Sequence, residues 1–209
     1  MSKNKNIKVI IVDDDVNWIK ALTNFFTQDS DITVYGSATN AEQAFKLLQH
    51  TKADVILMDI NLTENNLDGI YLAKDILDKF DIKIIMLTCL EEEHVIIDSF
   101  TAGAVNFVKK TDYKELPQVI RSTVNKTSPV EILIQEYHRL KEEELLEELT
   151  PVEKEIYVHL EDGYSRKEIA NILYKSESTV KNQIRKIYEK LGGSNREEII
   201  EKVKSRGLK

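Results

Sequence analysis

Residues Ala53 to Ile60 read ADVILMDI, a short apolar run that closes on a single acid, Asp59. An unbroken apolar run of this length between polar neighbours is the pattern of a strand buried on both faces, as parallel sheets require. Asp59 then stands at the carboxyl end of that strand, where open α/β sheets gather their ligand sites. Alone, such an acid reads more readily as a helix N-cap or a turn carboxylate than as part of a site. Its meaning depends on what the rest of the chain places beside it.

Outward from this strand the chain alternates regularly. Ile7–Val12 is a second buried strand, and Asn17–Thr27 puts Trp18, Leu22, Phe25 and Phe26 on one helical face, with Trp18 assigned to the core. Ile32–Tyr35 is a strand, followed by a helix carrying Ala41, Ala44, Phe45 and Leu48. After Val55–Met58 come a helix from Gly69 to Phe80, the strand Ile82–Leu87, a helix through Val95–Thr101, the strand Val105–Val108 and a helix from Tyr113 to Val124. Five β-α units with short connections predict an α/β fold, a doubly wound five-stranded parallel sheet with right-handed crossovers and helices on both faces.

The polar residues at the strand ends are then neighbours. The first strand ends in Asp13, Asp14 and Asp15, the third in Asp59 and the fourth in Thr88, while Lys109 and Lys110 follow the fifth. Adjacent carboxylates raise one another's pKa unless a cation neutralises them, and hard oxygen ligands suit Mg²⁺. Asp59 has the chemistry to attack a phosphorus atom, with a metal and a lysine balancing the charge and the Thr88 hydroxyl donating to a phosphoryl oxygen.

Composition limits the alternatives. At 209 residues the chain has room for one large or two small domains. One cysteine, Cys89, excludes an internal disulfide and a cysteine zinc cage, and His50, His94, His138 and His159 show no metal-ligand spacing. The apolar run after the basic MSKNKN meets three aspartates, so it is neither a secretory signal core nor a membrane span, and a cytoplasmic protein without a membrane partner is expected. The net charge of −7 divides into −6 for residues 1–125, −4 for 126–148 and +3 for 149–209. That asymmetry is compatible with a cation site in the front part and nucleic acid at the tail.

Asp13-Asp14 after the first strand, Asp59 after the third, IIMLT ending at Thr88, and GAVNFVKK with Lys110 seven residues after Gly103 together resemble the receiver domain of bacterial response regulators. The resemblance covers about residues 7–124. It implies a flavodoxin-like fold in which Asp59 accepts a phosphoryl group from a sensor histidine kinase. By the same resemblance Asp13, Asp14, Asp59 and the backbone carbonyl of Asn61 hold Mg²⁺, Thr88 and Lys110 engage the phosphoryl oxygens, and Phe107 occupies the aromatic switch position that repacks with Thr88. Where the family usually has proline four and glycine eight residues after the acceptor, this chain has Thr63 and Leu67, and the glycine arrives at Gly69. The loop Asn61–Asp68 therefore reads as two residues longer. Thr111 replaces a frequent proline, and Cys89 the usual small residue after the threonine.

Residues 125–148 are charged and leucine-bearing with no glycine, and read as a helical linker on which Leu133, Tyr137 and Leu140 share a face. A solvated spacer and a dimerising helix both fit. Beyond it Thr150-Pro-Val-Glu153, Ser165-Arg-Lys-Glu168 and Ser194-Asn-Arg-Glu197 match the capping-box pattern, and Gly163, Gly192-Gly193 and Gly207 sit where helices stop. With Ser176 as a further cap, four helices are predicted at about 151–161, 166–174, 177–191 and 195–206. The second and third have helix-turn-helix spacing.

In the third of these helices Val180, Ile184, Ile187 and Leu191 form an apolar stripe, leaving Asn182 and Arg185 on the opposite face, flanked by Ser178 and Lys181. Arg and Asn suit bidentate contacts with guanine and adenine edges, and Lys and Ser suit phosphates, although charges on an exposed face are often only solvated. LTPVEKEI, GYSRKEIANIL and SESTVKNQIRKIYEKLGG closely resemble the LuxR-type DNA-binding domain over about residues 147–207. That resemblance places Lys181, Asn182 and Arg185 at major-groove positions of double-stranded DNA and gives the last helix the dimer contact. Gln183 stands where many relatives have histidine.

The expected organisation is a receiver at 1–124, a linker at 125–148 and a helix-turn-helix domain at 149–209. The two resemblances in this order describe a response regulator of the NarL/FixJ type, not an enzyme, which binds a two-half-site operator and is a homodimer when phosphorylated or DNA-bound. Two other readings compete. A haloacid dehalogenase-type enzyme would use Asp13, Asp15, Thr88 and Lys110 but leaves Asp59 idle, and a receiver serving as a phosphorylation-independent scaffold is consistent with the altered loop.

Overall fold

The computed structural model describes residues 6–63, 67–89, 92–125 and 129–205. Five parallel strands run in the order β2-β1-β3-β4-β5, with β1 Ile7–Val12, β2 Ile32–Ala38, β3 Val55–Asp59, β4 Lys83–Thr88 and β5 Asn106–Lys109. This is the flavodoxin-like order, in which the connections reverse direction between β1 and β3 and open a crevice above the carboxyl ends of those two strands. The register sets Val12 beside Met58, Asp59 beside Leu87 and Thr88 beside Lys109. One end of the sheet thus collects the polar residues that close each apolar run.

The central strands are apolar at nearly every position because both faces are covered. Val9, Ile11, Leu57, Ile85 and Leu87 pack against Ile19, Leu22 and Phe26 of α1 (Val16–Phe26) and Leu116 and Ile120 of α5 (Leu116–Asn125). The alternating residues Ile10, Val12, Ile56, Met58, Ile84 and Met86 are equally buried and belong to the opposite face by the two-residue period of a strand. There α2 (Ala41–His50), α3 (Asp68–Leu77) and α4 (Glu93–Thr101) supply Ala44, Leu48, Ile70, Ala73, Ile76 and Val95 to the core.

Two helix starts depart from the sequence expectation. The helix predicted from Tyr113 instead begins as a 3₁₀ segment, Lys110–Glu115, with Asp112 outside helical geometry, and α5 starts at Leu116. Pro117 is the reason: it has no N–H to return to the Tyr113 carbonyl, so it is tolerated only in a first helical turn. Further on, the third predicted capping box is shifted by one residue. Asn195, not Ser194, caps α10 (Arg196–Lys204) by accepting from the Glu198 N–H at 2.9 Å, and Glu198 rather than Glu197 reaches back to the Ser194 N–H at 2.8 Å.

The chain forms two compact units, residues 1–135 and 136–209. The helix α6 (Pro129–Leu145) contains the boundary, and Glu131 near its start is paired with Lys83 at 2.8 Å inside the first unit. Of the shared linker face, Leu133 and Leu140 are exposed while Tyr137 is half-buried.

In the second unit α7 (Pro151–Glu161), α8 (Arg166–Ile172), α9 (Glu177–Leu191) and α10 enclose a core of Ile156, Tyr157, Leu160, Ile169, Val180, Ile187, Leu191, Ile199 and Val203. Thr150–Glu153 and Ser165–Glu168 form both reciprocal capping boxes, and Pro151 opens α7. Gly192 ends α9 at φ 65°, a conformation that a side chain would strain. Gly207 and Arg206 lie outside the described residues.

Candidate functional site

The three consecutive aspartates after β1 have three different environments. Asp13 is fully buried and accepts the Asp15 N–H at 3.0 Å. Asp14 is exposed. Asp15 is the N-cap of α1, accepting from the Asn17 and Trp18 N–H groups at 2.8 and 3.3 Å. Asp59 is 6% exposed at the end of β3, and one of its oxygens accepts the Ile60 N–H at 2.9 Å. Ligand oxygens of Asp13, Asp14 and Asp59 lie within 4.8 Å of one another.

Lys110 joins this cluster from the start of the 3₁₀ segment. Its Nζ is 2.7 Å from Asp13 Oδ2 and 3.1 Å from Asp59 Oδ2. Burial pushes the Asp59 carboxyl up to about 6, with the nearby Asp13 charge adding to it, even though Lys110 pulls the other way. Asp13 is likewise raised, first by burial. Burial lowers Lys110, but Asp13 and Asp59 more than offset it and hold the ammonium above its ordinary range. Two mostly buried carboxylates with one cation leave an excess of negative charge, and three oxygen donors, one of them on the exposed Asp14, fit a divalent cation of the Mg²⁺ kind.

The remaining residues of the predicted site surround this cluster by strand register. Thr88 is buried at the end of β4, next to β3. Phe107 is half-buried on β5, paired with Met86. The side chain of Asn61 accepts the Leu67 N–H at 3.1 Å, while Asp68 accepts from the Leu62 N–H at 2.7 Å and the Thr63 hydroxyl at 2.6 Å. These bonds tie the two ends of the loop together, and residues 64–66 of the lengthened segment lie outside the described residues. Cys89 is exposed.

Two features of the site escaped the sequence reading. Gly69 approaches β3 so closely that a Cβ on it would lie 1.9 Å from the Asp59 carbonyl oxygen, and its N–H bonds to Ile60 O at 2.9 Å. Its displaced position in the sequence was the available signal. Trp18, assigned to the core, is half-buried, stands edge-on to Tyr113 with ring centroids 5.9 Å apart, and has its ring centre 5.8 Å from Lys110 Nζ. It packs at the margin of the core and faces the ammonium.

The second unit presents α9. Val180, Ile187 and Leu191 are buried and Ile184 partly so, whereas Ser178, Lys181, Asn182 and Arg185 are exposed together. Arg185 pairs with Glu189 one turn further along its own helix, at 3.3 Å. Gln183 is half-buried. The base of α9 is fixed from α7: Lys190 Nζ lies 2.7 Å from the buried Glu153 carboxylate and donates to Glu148 O at 3.0 Å. Glu153 is held down to about 2 by Lys190 and by the Thr150 N–H.

An acidic crevice at the carboxyl end of a receiver-like sheet and a helix-turn-helix on one chain define a class, the transcription-regulating response regulators. The chain belongs to that family: residues 9–121 match the response regulator receiver domain, and residues 147–203 match the luxR family of bacterial regulatory proteins. It is 30% identical to the transcriptional regulatory protein YdfI of Bacillus subtilis over 96% of this chain and 97% of that protein. It is 31% identical to the response regulator protein VraR of Staphylococcus aureus over 93% and 94% of the two chains. The solved structure of RcsB from Salmonella enterica serovar Typhimurium, bound to promoter rprA in the presence of phosphomimetic BeF3−, has the same fold at 22% identity, with a TM-score of 0.51 over 93% of this chain and 98% of that one. Among the described residues no helix is long and apolar enough to cross a membrane.

Proposed function

We propose that this protein is switched by phosphorylation of Asp59 by a sensor histidine kinase, and that the switch controls dimerisation and sequence-specific binding to a two-half-site operator. The observation that carries this reading is the Lys110 ammonium held between Asp13 and Asp59, beside an open acidic cluster at the sheet's carboxyl end. Asp13, Asp14, Asp59 and the Asn61 backbone carbonyl would hold Mg²⁺. The metal supplies charge neutralisation that lets a carboxylate approach a phosphoryl donor.

Asp59 attacks phosphorus with the oxygen that Lys110 now holds, the P–N bond to the kinase's phosphohistidine breaks with the imidazole as leaving group, and the phosphoryl group becomes an acyl phosphate on the Asp59 side chain. Lys110 and the Thr88 hydroxyl then turn to the new phosphoryl oxygens. Movement of Thr88 leaves room beside it into which Phe107 repacks, altering the outer face of β4 and β5. That change favours the homodimer, which brings two copies of α9 into successive major grooves, with Lys181, Asn182 and Arg185 at base edges and Ser178 at the backbone. The promoter-bound RcsB structure, determined with a phosphomimetic, supplies the analogy at the level of fold. The cytoplasm is the compartment where kinase and operator meet.

Selection of bound duplexes from a random pool tests the reading. With acetyl phosphate and Mg²⁺, the wild type should enrich a two-half-site sequence and Asp59→Asn should not. Equal enrichment by both would favour the phosphorylation-independent scaffold, for which the lengthened loop after Asp59 is the specific support.

A further inference from the structure

Among the described residues of the second unit three have left-handed backbones, and one of them is not glycine. Gly163 and Gly192 adopt φ 98° and 65°, and Tyr174 adopts φ 52°. Tyr174 follows the last turn of α8: its N–H bonds to Asn171 O at 3.3 Å, and the Lys175 N–H closes back on Ala170 O at 2.9 Å. That is the helix-ending turn whose left-handed position glycine normally fills, because a Cβ there is strained.

Packing does not compensate for the strain. Tyr174 is 98% exposed, while the other exposed large apolar residues described in this unit lie between 37% (Val152) and 51% (Val158). A bulky aromatic held in a costly conformation with its ring in solvent points to a use outside the fold. Its place in the chain indicates which: Tyr174 lies two residues before Ser176, the cap of α9, and Lys175, Ser178 and Lys181 in the segment that follows are exposed.

We propose that Tyr174 is a DNA-backbone contact, its phenol O–H donating to a phosphate oxygen beside the major groove that α9 enters. This rests on the reading of α9 as the DNA-reading helix. A helix whose amino-terminal end points into the groove carries the residues just before it past the flanking phosphates. A tyrosine offers them a neutral donor on a stiff arm, and such contacts fix position and orientation without reading sequence. Tyr174 therefore raises affinity for any duplex.

The test uses the full chain, incubated with acetyl phosphate and Mg²⁺, binding a labelled mixed-sequence duplex of about three helical turns over a series of salt concentrations. Tyr174→Gly should raise the melting temperature by relieving the strain, yet weaken duplex binding roughly tenfold, the usual scale for a hydrogen bond to a charged group. Tyr174→Phe, which keeps the strain and the ring, should weaken binding comparably without changing the salt slope. Lys181→Ala should instead lower the slope by about one. If Tyr174→Gly and Tyr174→Phe bind like the wild type while Lys181→Ala changes the slope, the Tyr174 contact is wrong and the α9 reading stands. If the wild type shows no salt-dependent binding and Lys181→Ala changes nothing, the α9 reading and this contact fall together.

Discussion

The Lys110 ammonium lies 3.1 Å from Asp59 Oδ2 while it also engages the buried Asp13 carboxylate at 2.7 Å. Burial raises the Asp59 carboxyl to about 6, with the Asp13 charge adding to it, and one cation shared by two acids does not bring it back down. The folded chain therefore keeps a proton on Asp59 at pH values where the unfolded chain has lost it. This acid is raised, so its ionisation opposes folding, and stability falls as pH rises from about 4 to 6.

Replacing Asp59 by Asn should consequently stabilise the metal-free protein at pH 7, by about 1–3 kcal/mol. Chemical denaturation of both proteins checks this. Mg²⁺ should raise the stability of the wild type more than that of Asp59→Asn, because a ligand that binds only the folded state stabilises it by mass action.

Gly69→Ala should destabilise the first unit by about 2 kcal/mol or more, since the new methyl would collide with the Asp59 backbone carbonyl rather than with a movable side chain. Urea unfolding measures the loss. A cost within a few tenths of a kcal/mol would show that the end of β3 yields easily.

Glu153 behaves oppositely to Asp59. Its pKa is held near 2 by Lys190 and by the cap of α7, so the stability it contributes is present above pH 4.5 and disappears as pH falls from 4.5 to 2. Glu153→Gln should lower the stability of the second unit at pH 7 by about 1–3 kcal/mol, because it leaves a partly buried ammonium without its partner. Melting curves from pH 7 to 3 should converge for the two proteins as acid removes the wild-type advantage.

Arg185→Ala should leave the melting temperature nearly unchanged, because the Arg185–Glu189 pair is exposed and such pairs contribute little. It should weaken operator binding by about 1–3 kcal/mol and relax base preference at one position. Anisotropy titrations with operator duplexes altered one base pair at a time resolve the two effects.

The sheet was legible because a doubly covered strand has to be apolar at consecutive positions, and ADVILMDI and IKVIIV leave no other use for such runs. Strand ends carried the acidic cluster for the same reason: a polar residue stops the run where the crevice begins. Other details were hidden where two residues could do one task. Ser194 and Asn195 both cap helices and each has a glutamate three residues on, so composition could not choose between them. The aspartate run concealed that Asp15 belongs to α1 rather than to the cluster. Trp18 was read as core because an apolar helical face looks the same whether its neighbour is leucine or an ammonium. The close approach of Gly69 is a property of backbone paths, and the only trace of it in the sequence is a glycine displaced by two positions.

The proposed switch requires that Asp59 accept a phosphoryl group with a divalent cation beside it. Intact-mass measurement after incubation with acetyl phosphate and Mg²⁺ tests it most directly. The expected result is a single phosphoryl adduct on the wild type, absent from Asp59→Asn and absent when the metal is chelated. An adduct of equal yield on Asp59→Asn would contradict the claim.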